Sequence, residues 1–219
     1  GYWRRLDNVL ETEDGKLALS TTENWEDNVA TGVGRAYGAE VYVQKTSGKV
    51  TGICSYTLSK SERRFPDNAI NNGKWYPFAN DRRHNIRIAA MCKFNDRIDA
   101  AASWVFMSGN YMTVPERETV YVDPKGKFHY LHYVSGRNNY RLQPTHHLDL
   151  SVNFTKHKKR GERVWTVGLY NAYCAMNPDW TYVNDTWSKD EAGKSFYSAN
   201  ITKLSFLTIL PSVSYTYRF

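Results

Sequence analysis

From Leu207 to Phe219 apolar and polar residues alternate. Leu207, Ile209, Pro211, Val213, Tyr215, Tyr217 and Phe219 share one side, and Thr208, Ser212, Ser214, Thr216 and Arg218 share the other. Only Leu210 breaks the polar side. Successive side chains of a strand point to opposite faces, so the run predicts a strand with one apolar and one wetted surface, long for an ordinary globular strand.

The same period recurs upstream. A strand from Gly34 to Lys45 carries Tyr37, Ala39, Val41 and Val43 on one face, and Val50 to Lys60 carries Val50, Gly52, Cys54, Tyr56 and Leu58, so the two read as a hairpin across Thr46 to Lys49. Arg82 to Phe94 (Ile86, Ile88, Ala90, Cys92, Phe94) passes through Asn95 and Asp96 into Arg97 to Tyr111 (Ile98, Ala100, Ala102, Trp104, Phe106). Thr145 to Thr155 sets Leu148, Leu150, Val152 and Phe154 against Asp149, Ser151, Asn153 and Thr155, and a basic turn, Lys156 to Arg163, leads to a strand from Val164 to Cys174. In that strand the apolar parity of Trp165, Val167 and Leu169 runs on into Asn171, which predicts a bulge or the membrane boundary near Tyr170.

Connections alternate between tight turns and long polar, aromatic segments at Ser61 to Asn80, Thr113 to Gln143 and Ala175 to Lys203. Apolar-out, polar-in strands joined this way describe a transmembrane β-barrel, with short turns on the periplasmic side and long loops outside. By that rule the last strand descends and Phe219 lies at the periplasmic rim. About seven spanning strands are expected, fewer than a closed single-chain barrel and odd in number, so further strands must complete the wall.

Composition changes the picture little. A mean hydropathy of −0.63 excludes a helical membrane protein, while 7 Trp, 16 Tyr and 9 Phe suit the aromatic girdles of a barrel. The net charge of +7 is scattered apart from Lys156 to Arg163, which argues against nucleic acid as a partner. Cys54, Cys92 and Cys174 have no metal spacing and form no even disulfide set. No apolar leader or domain break stands out.

Gly32 to Glu40, Gln44 to Gly48, Ser55 to Ser61, Asn80 to His84, Ser108 to Asn110, Asp149 to Asn153, and Tyr170-Asn171 with Asn177-Pro178 occur in an order that resembles the C-terminal barrel of a TonB-dependent outer-membrane receptor. The resemblance runs from Asn24 onward. It implies that residues 1–219 are the last third of a single barrel domain of about twenty-two strands, with the plug domain and its TonB-binding segment not in this chain. It implies a transporter in the outer membrane of a Gram-negative bacterium that imports a scarce ligand such as a siderophore, haem, vitamin or glycan. Its partners would be TonB through the plug, the rest of the same barrel, outer-membrane lipid and the barrel assembly machinery. Tyr215, Tyr217 and Phe219 resemble the family's assembly signal.

Candidate ligand-binding residues lie on the side expected to be extracellular: Trp75, Tyr76, His129, Tyr130, His132, Tyr133, Trp180 and Tyr182, with Trp187 nearby. Aromatic faces with polar tips suit sugars or ring ligands. Packing of loops against one another, or an interfacial belt, explains them equally well. His146 and His147 are adjacent and point to opposite faces of a strand, which argues against a shared metal. Asp81 to His84 read as a junction with charges paired across the wall. No catalytic residue, metal or cofactor is expected, since no nucleophile, base and orienting group share a triad-like spacing. The alternatives are a barrel enzyme of the lipase or protease type and a passive or structural barrel.

Overall fold

A computed structural model describes residues 1–16, 24–67, 69–189, 191–193 and 195–219, with the side chains of Tyr130, Asp185, Ser195 and Phe196 left aside. The chain is all-β. Its strands are β1 (Tyr2–Thr12), β2 (Val29–Lys45), β3 (Val50–Arg64), β4 (Tyr76–Pro77), β5 (His84–Lys93) and β6 (Ile98–Met107). The short strands β7 (Tyr111–Met112), β8 (Arg117–Val122), β9 (Phe128–Tyr133) and β10 (Tyr140–Arg141) follow. The chain ends with β11 (Thr145–Lys158), β12 (Gly161–Tyr170), β13 (Trp180–Lys189), β14 (Ser195–Leu204) and β15 (Leu210–Arg218).

One nine-stranded antiparallel sheet dominates, in the order β1-β2-β3-β5-β6-β11-β12-β15, with β4 added beside β3. Three two-stranded sheets, β7–β10, β8–β9 and β13–β14, stand apart from it. The large sheet does not close, because β1 and β15 are its edges and do not pair with each other.

Register fixes which side chains share a face, since a one-residue slip would invert a strand. One row reads Val50, Cys92, Ala100, Val152, Val167, Val213 across six strands. Another, on the opposite face, reads Lys93, Asp99, Asn153, Thr166, Ser214. The middle of the polar row is bonded, with Asn153 Nδ2 donating to Asp99 Oδ2 at 2.6 Å and Thr166 Oγ1 to Asn153 Oδ1 at 2.7 Å. The apolar parities expected strand by strand therefore fall on a single side of the sheet. They had no reason to agree unless one continuous surface selected them.

The tight connections at 46–49, 94–97 and 159–160 all lie at one end, and the long ones at 13–28, 65–83, 108–144 and 171–209 at the other. Gly48 (φ 99°) and Gly161 (φ 121°) supply the backbone conformations that two of the tight connections require.

Four features differ from the sequence reading, one being that the segment expected as a loop from Ser61 to Asn80 carries the end of β3 and the short strand β4. β1 is an added strand, hidden because Asp7 and Asn8 shift its register between Leu6 and Val9, with Asn8 at φ 55°, and so break its alternation. The long connections at 108–144 and 171–209 are not simple loops, for they contain the β7–β10, β8–β9 and β13–β14 pairs. The last strand begins at Leu210 rather than Leu207. The apolar parity breaks near Tyr170 because β12 stops there and Asn171 takes φ 51°.

Among the described residues the buried apolar cluster is small, comprising Ala30, Phe65, Ile70 and Tyr76 with Ala69 against it, and it lies toward the long-connection end. On the apolar face of the sheet, Val41, Val43, Ile88, Leu150, Trp165, Val167 and Val213 stay exposed.

Candidate functional site

At the long-connection end, charged and amide side chains hold the connections together. Asp81, 2% exposed, accepts the backbone N–H of Ser61 at 2.6 Å and pairs with Arg141 Nη2 at 3.2 Å and Arg83 Nη2 at 3.6 Å. Arg141 also lies over the Tyr111 ring at 4.3 Å. Asn171, fully buried, donates its backbone N–H to Asp149 Oδ1 and its Nδ2 to the carbonyls of Ala175 and Thr208, joining the start of one connection to its end. These residues build a frame. Asp81, Asn171 and Arg141 are committed to partners, as burial demands, while the buried Arg83 Nε has none among the described residues.

Three connections meet at a polar cavity of about 560 Å³. Glu13, Asp14 and Lys16 come from 13–28, Asn71 and Asn72 from 65–83, and His132, Tyr133 and Arg137 from 108–144. Arg137 Nη1 bonds Asp14 Oδ1 at 2.8 Å and the Thr12 carbonyl at 3.0 Å, and its backbone N–H donates to Asn71 Oδ1 at 2.9 Å. The backbone N–H of Asn71 in turn donates to Asp14 Oδ2 at 2.7 Å, and Lys16 pairs with Glu13 at 2.7 Å. Asn71 and Asn72 both adopt positive φ, which asparagine tolerates better than most residues and which lets a short loop turn its amides inward. The cavity size lies in the range of small-ligand sites. Carboxylates and cations are matched within it, so the lining offers hydrogen bonds without a large net field.

Of the residues expected to bind ligand, His132 and Tyr133 line this cavity. The others do not. Tyr76 is 2% exposed, stacks with Phe65 (centroids 6.3 Å apart) and gives its hydroxyl to Glu11. Burial, then that bond, pushes its phenol above the ordinary tyrosine range, so Tyr76 belongs to the core. Trp75 lies beneath the Arg35 guanidinium at 4.2 Å. His129 stacks on Tyr121 at 4.9 Å and its Nε2 is 3.0 Å from Asp123 Oδ2, near the tip of the β8–β9 hairpin. That bond, followed by backbone donation from Lys127, holds the Asp123 carboxyl below its usual range. The side chain of Tyr130 lies outside the described residues. Trp180 and Tyr182 are exposed on one face of β13 near the base of its hairpin. Trp187 joins the two outer hairpins through Glu118 and rests edge-on against Tyr197 at 6.1 Å.

His146 and His147 do part company across the sheet. His146 Nδ1 meets the Tyr173 hydroxyl at 2.8 Å, while His147 Nε2 lies 3.4 Å from Asp149 on the polar side. Among the described residues no cluster of three or more His, Cys, Asp or Glu is placed to hold a metal ion. A second, shallower hollow of about 520 Å³ lies along the middle of the sheet, beside Thr51, Ala89, Ala101, Ser103, Asp149 and Ser151.

Sequence reading missed Asp14, Arg137 and Glu118. Each matters only through a partner far along the chain. The asparagines in positive φ within the long connections, Asn71, Asn72, Asn138 and Asn171, are a local signal of a built loop architecture. In comparisons with protein families, characterised proteins and solved structures, nothing matches this chain.

Proposed function

We propose that this chain is part of the wall of an outer-membrane β-barrel receptor that captures a scarce ligand at its extracellular rim and imports it. The observation that carries the reading is the uncovered apolar face. It runs from the row Val41, Tyr56, Ile86, Phe106, His146 to the row Ile98, Phe154, Trp165, Tyr215. Along β11 that is about 27 Å, or about 20 Å of height at the tilt usual in such barrels, close to the apolar band they present to lipid. Aromatics flank it at both ends. Tyr56 with His84, and Trp104 and His146 with Tyr173, mark the long-connection end. Trp165 with Tyr215 (4.9 Å) marks the other, and Lys156 and Arg163 lie just beyond. Lipid covers such a surface without any protein partner.

In this reading the edges β1 and β15 pair with further strands of the same barrel, because unpaired backbone groups in hydrocarbon cost several kcal/mol each. The hollow along the middle of the sheet faces the lumen, where a plug domain would sit and couple to TonB. The cavity formed by Asp14, Asn71, His132, Tyr133 and Arg137 takes the ligand.

Membrane fractionation, heat-modifiable gel mobility and uptake assays on the full-length protein test the proposal. An outer-membrane barrel whose uptake stops when the proton-motive force is collapsed, while surface binding persists, is expected. A water-soluble monomer, or uptake that is passive and limited only by size, would overturn it.

A further inference from the structure

Where β1, β2 and β3 pass beyond the apolar band toward the long connections, the same face turns cationic. Trp3, Tyr37 and Lys60 form one row, and Arg5, Arg35 and Glu62 the next. Arg64 follows opposite Val33. Arg5 and Arg35 are directly opposed on neighbouring strands, an arrangement in which like charges repel. Glu62 restrains part of the cluster: Arg35 Nε and Nη2 both lie 2.8 Å from its Oε2, and Lys60 Nζ lies 2.7 Å from its Oε1. Arg5 Nε reaches Asp7 at 2.9 Å, and Arg64 Nε donates to the Gly73 carbonyl at 2.9 Å. Four cations, Arg5, Arg35, Lys60 and Arg64, thus stand against the two carboxylates of Glu62 and Asp7, which leaves positive charge in excess. Trp75 under the Arg35 guanidinium fixes its plane.

We infer that this patch binds the phosphorylated headgroup of a lipid in the leaflet on the long-connection side. The inference rests on the barrel reading above. Guanidinium groups bind phosphate oxygens in bidentate fashion, and a lysine adds a mobile point charge. The patch opens on the lipid side, directly above Trp3, Tyr37, Ala39 and Leu58. Trp3 is 68% exposed, and an interfacial tryptophan sits at headgroup level. A soluble phosphate would have no use for that apolar continuation, whereas a lipid lays its acyl chains on it.

The test uses full-length protein purified in detergent and shown by heat-modifiable mobility to be a folded barrel. Native mass spectrometry then counts diphosphoryl lipid A retained per barrel. The double variant R5Q/K60Q should retain at least tenfold less than the parent. K156Q/R163Q, which removes cations from the same face at the opposite end, should retain as much as the parent. Millimolar inorganic phosphate should not displace the lipid. Equal losses in both variants would reduce the effect to general surface charge and overturn the site. Displacement by inorganic phosphate would make it a free-anion site and overturn the lipid assignment. A protein that yields no folded barrel fails at the mobility step, which removes the barrel reading and this site with it.

Discussion

The indole Nε1 of Trp187 donates to Glu118 Oε2 at 3.1 Å, linking the β13–β14 hairpin to the β8–β9 hairpin across sixty-nine residues of sequence. His132 and Tyr197 meet beside it, with rings 6.1 Å apart. Among the described residues the two hairpins share no backbone ladder, so this side-chain junction sets how they lean on one another. His132 also lines the cavity at the rim. The junction therefore bears on the shape of the candidate ligand site.

Replacing Trp187 by Phe keeps an aromatic ring and removes the hydrogen bond. The hairpins should separate more often, at a cost of about 0.5–1.5 kcal/mol for the lost bond. Limited proteolysis should show faster cleavage within 171–209, with barrel mobility on gels unchanged. The double variant with Glu118→Gln should add little to either single change, since both act on one contact.

A lysine at Val152 or Val213 should impair insertion into lipid vesicles by about 2–4 kcal/mol, because both residues lie in the central apolar row. The same lysine at Ser151 or Ser214, on the polar face, should be tolerated. Equal folded yields for the two pairs would contradict the assignment of faces.

Asp81 is placed to decide whether the long-connection end holds together. Asp81→Leu leaves Arg83 and Arg141 without their carboxylate and Ser61 without its acceptor, and should cost about 2–3 kcal/mol, read as a lower urea midpoint of the folded protein. Asp81→Asn, which keeps an acceptor for the Ser61 N–H, should cost less.

The tip of the β8–β9 hairpin should loosen in acid. The Asp123 carboxyl is held below its ordinary range by His129 first and by the backbone N–H groups of Lys127 and Lys125. A depressed folded value means the unfolded segment binds the proton more readily. The contribution is therefore complete above the ordinary aspartate value, about 4, and disappears as pH falls through the lower folded value. NMR ring-current shifts from the stacked Tyr121 and His129 should fade over that window. Asp123→Asn should show the weakened stacking already at neutral pH.

Deleting Phe219 should leave the stability of a refolded barrel nearly unchanged, since its ring is fully exposed and lies 6.1 Å from that of Tyr217. The amount of barrel reaching the outer membrane in cells should nevertheless fall, if the terminal aromatics serve as an assembly signal. Unchanged surface abundance would assign Phe219 no such role. Tyr217 is the better anchored residue, with its hydroxyl donating to the Arg160 carbonyl at 2.8 Å.

Period-two alternation was enough to specify the long strands of the main sheet from β2 to β15, though not the two-residue β4, and the side of each that is apolar. In a strand, position along the chain alone dictates facing, so every Val, Leu or Trp at the right parity declares its side. β1 escaped because its bulge at Asp7 and Asn8 resets that parity. The outer hairpins escaped because a segment wetted on both faces has no reason to alternate. The candidate site was legible only in part. Its aromatics could be seen, but whether each faces a ligand, a neighbour or the core depends on partners brought together by folding: Glu11 for Tyr76, Arg35 for Trp75, Asp123 for His129, and Asp14 for Arg137. Those contacts join residues from six to over a hundred positions apart, and no local pattern encodes them. Burial and pairing are decided by three-dimensional proximity, which the sequence specifies only through the whole fold.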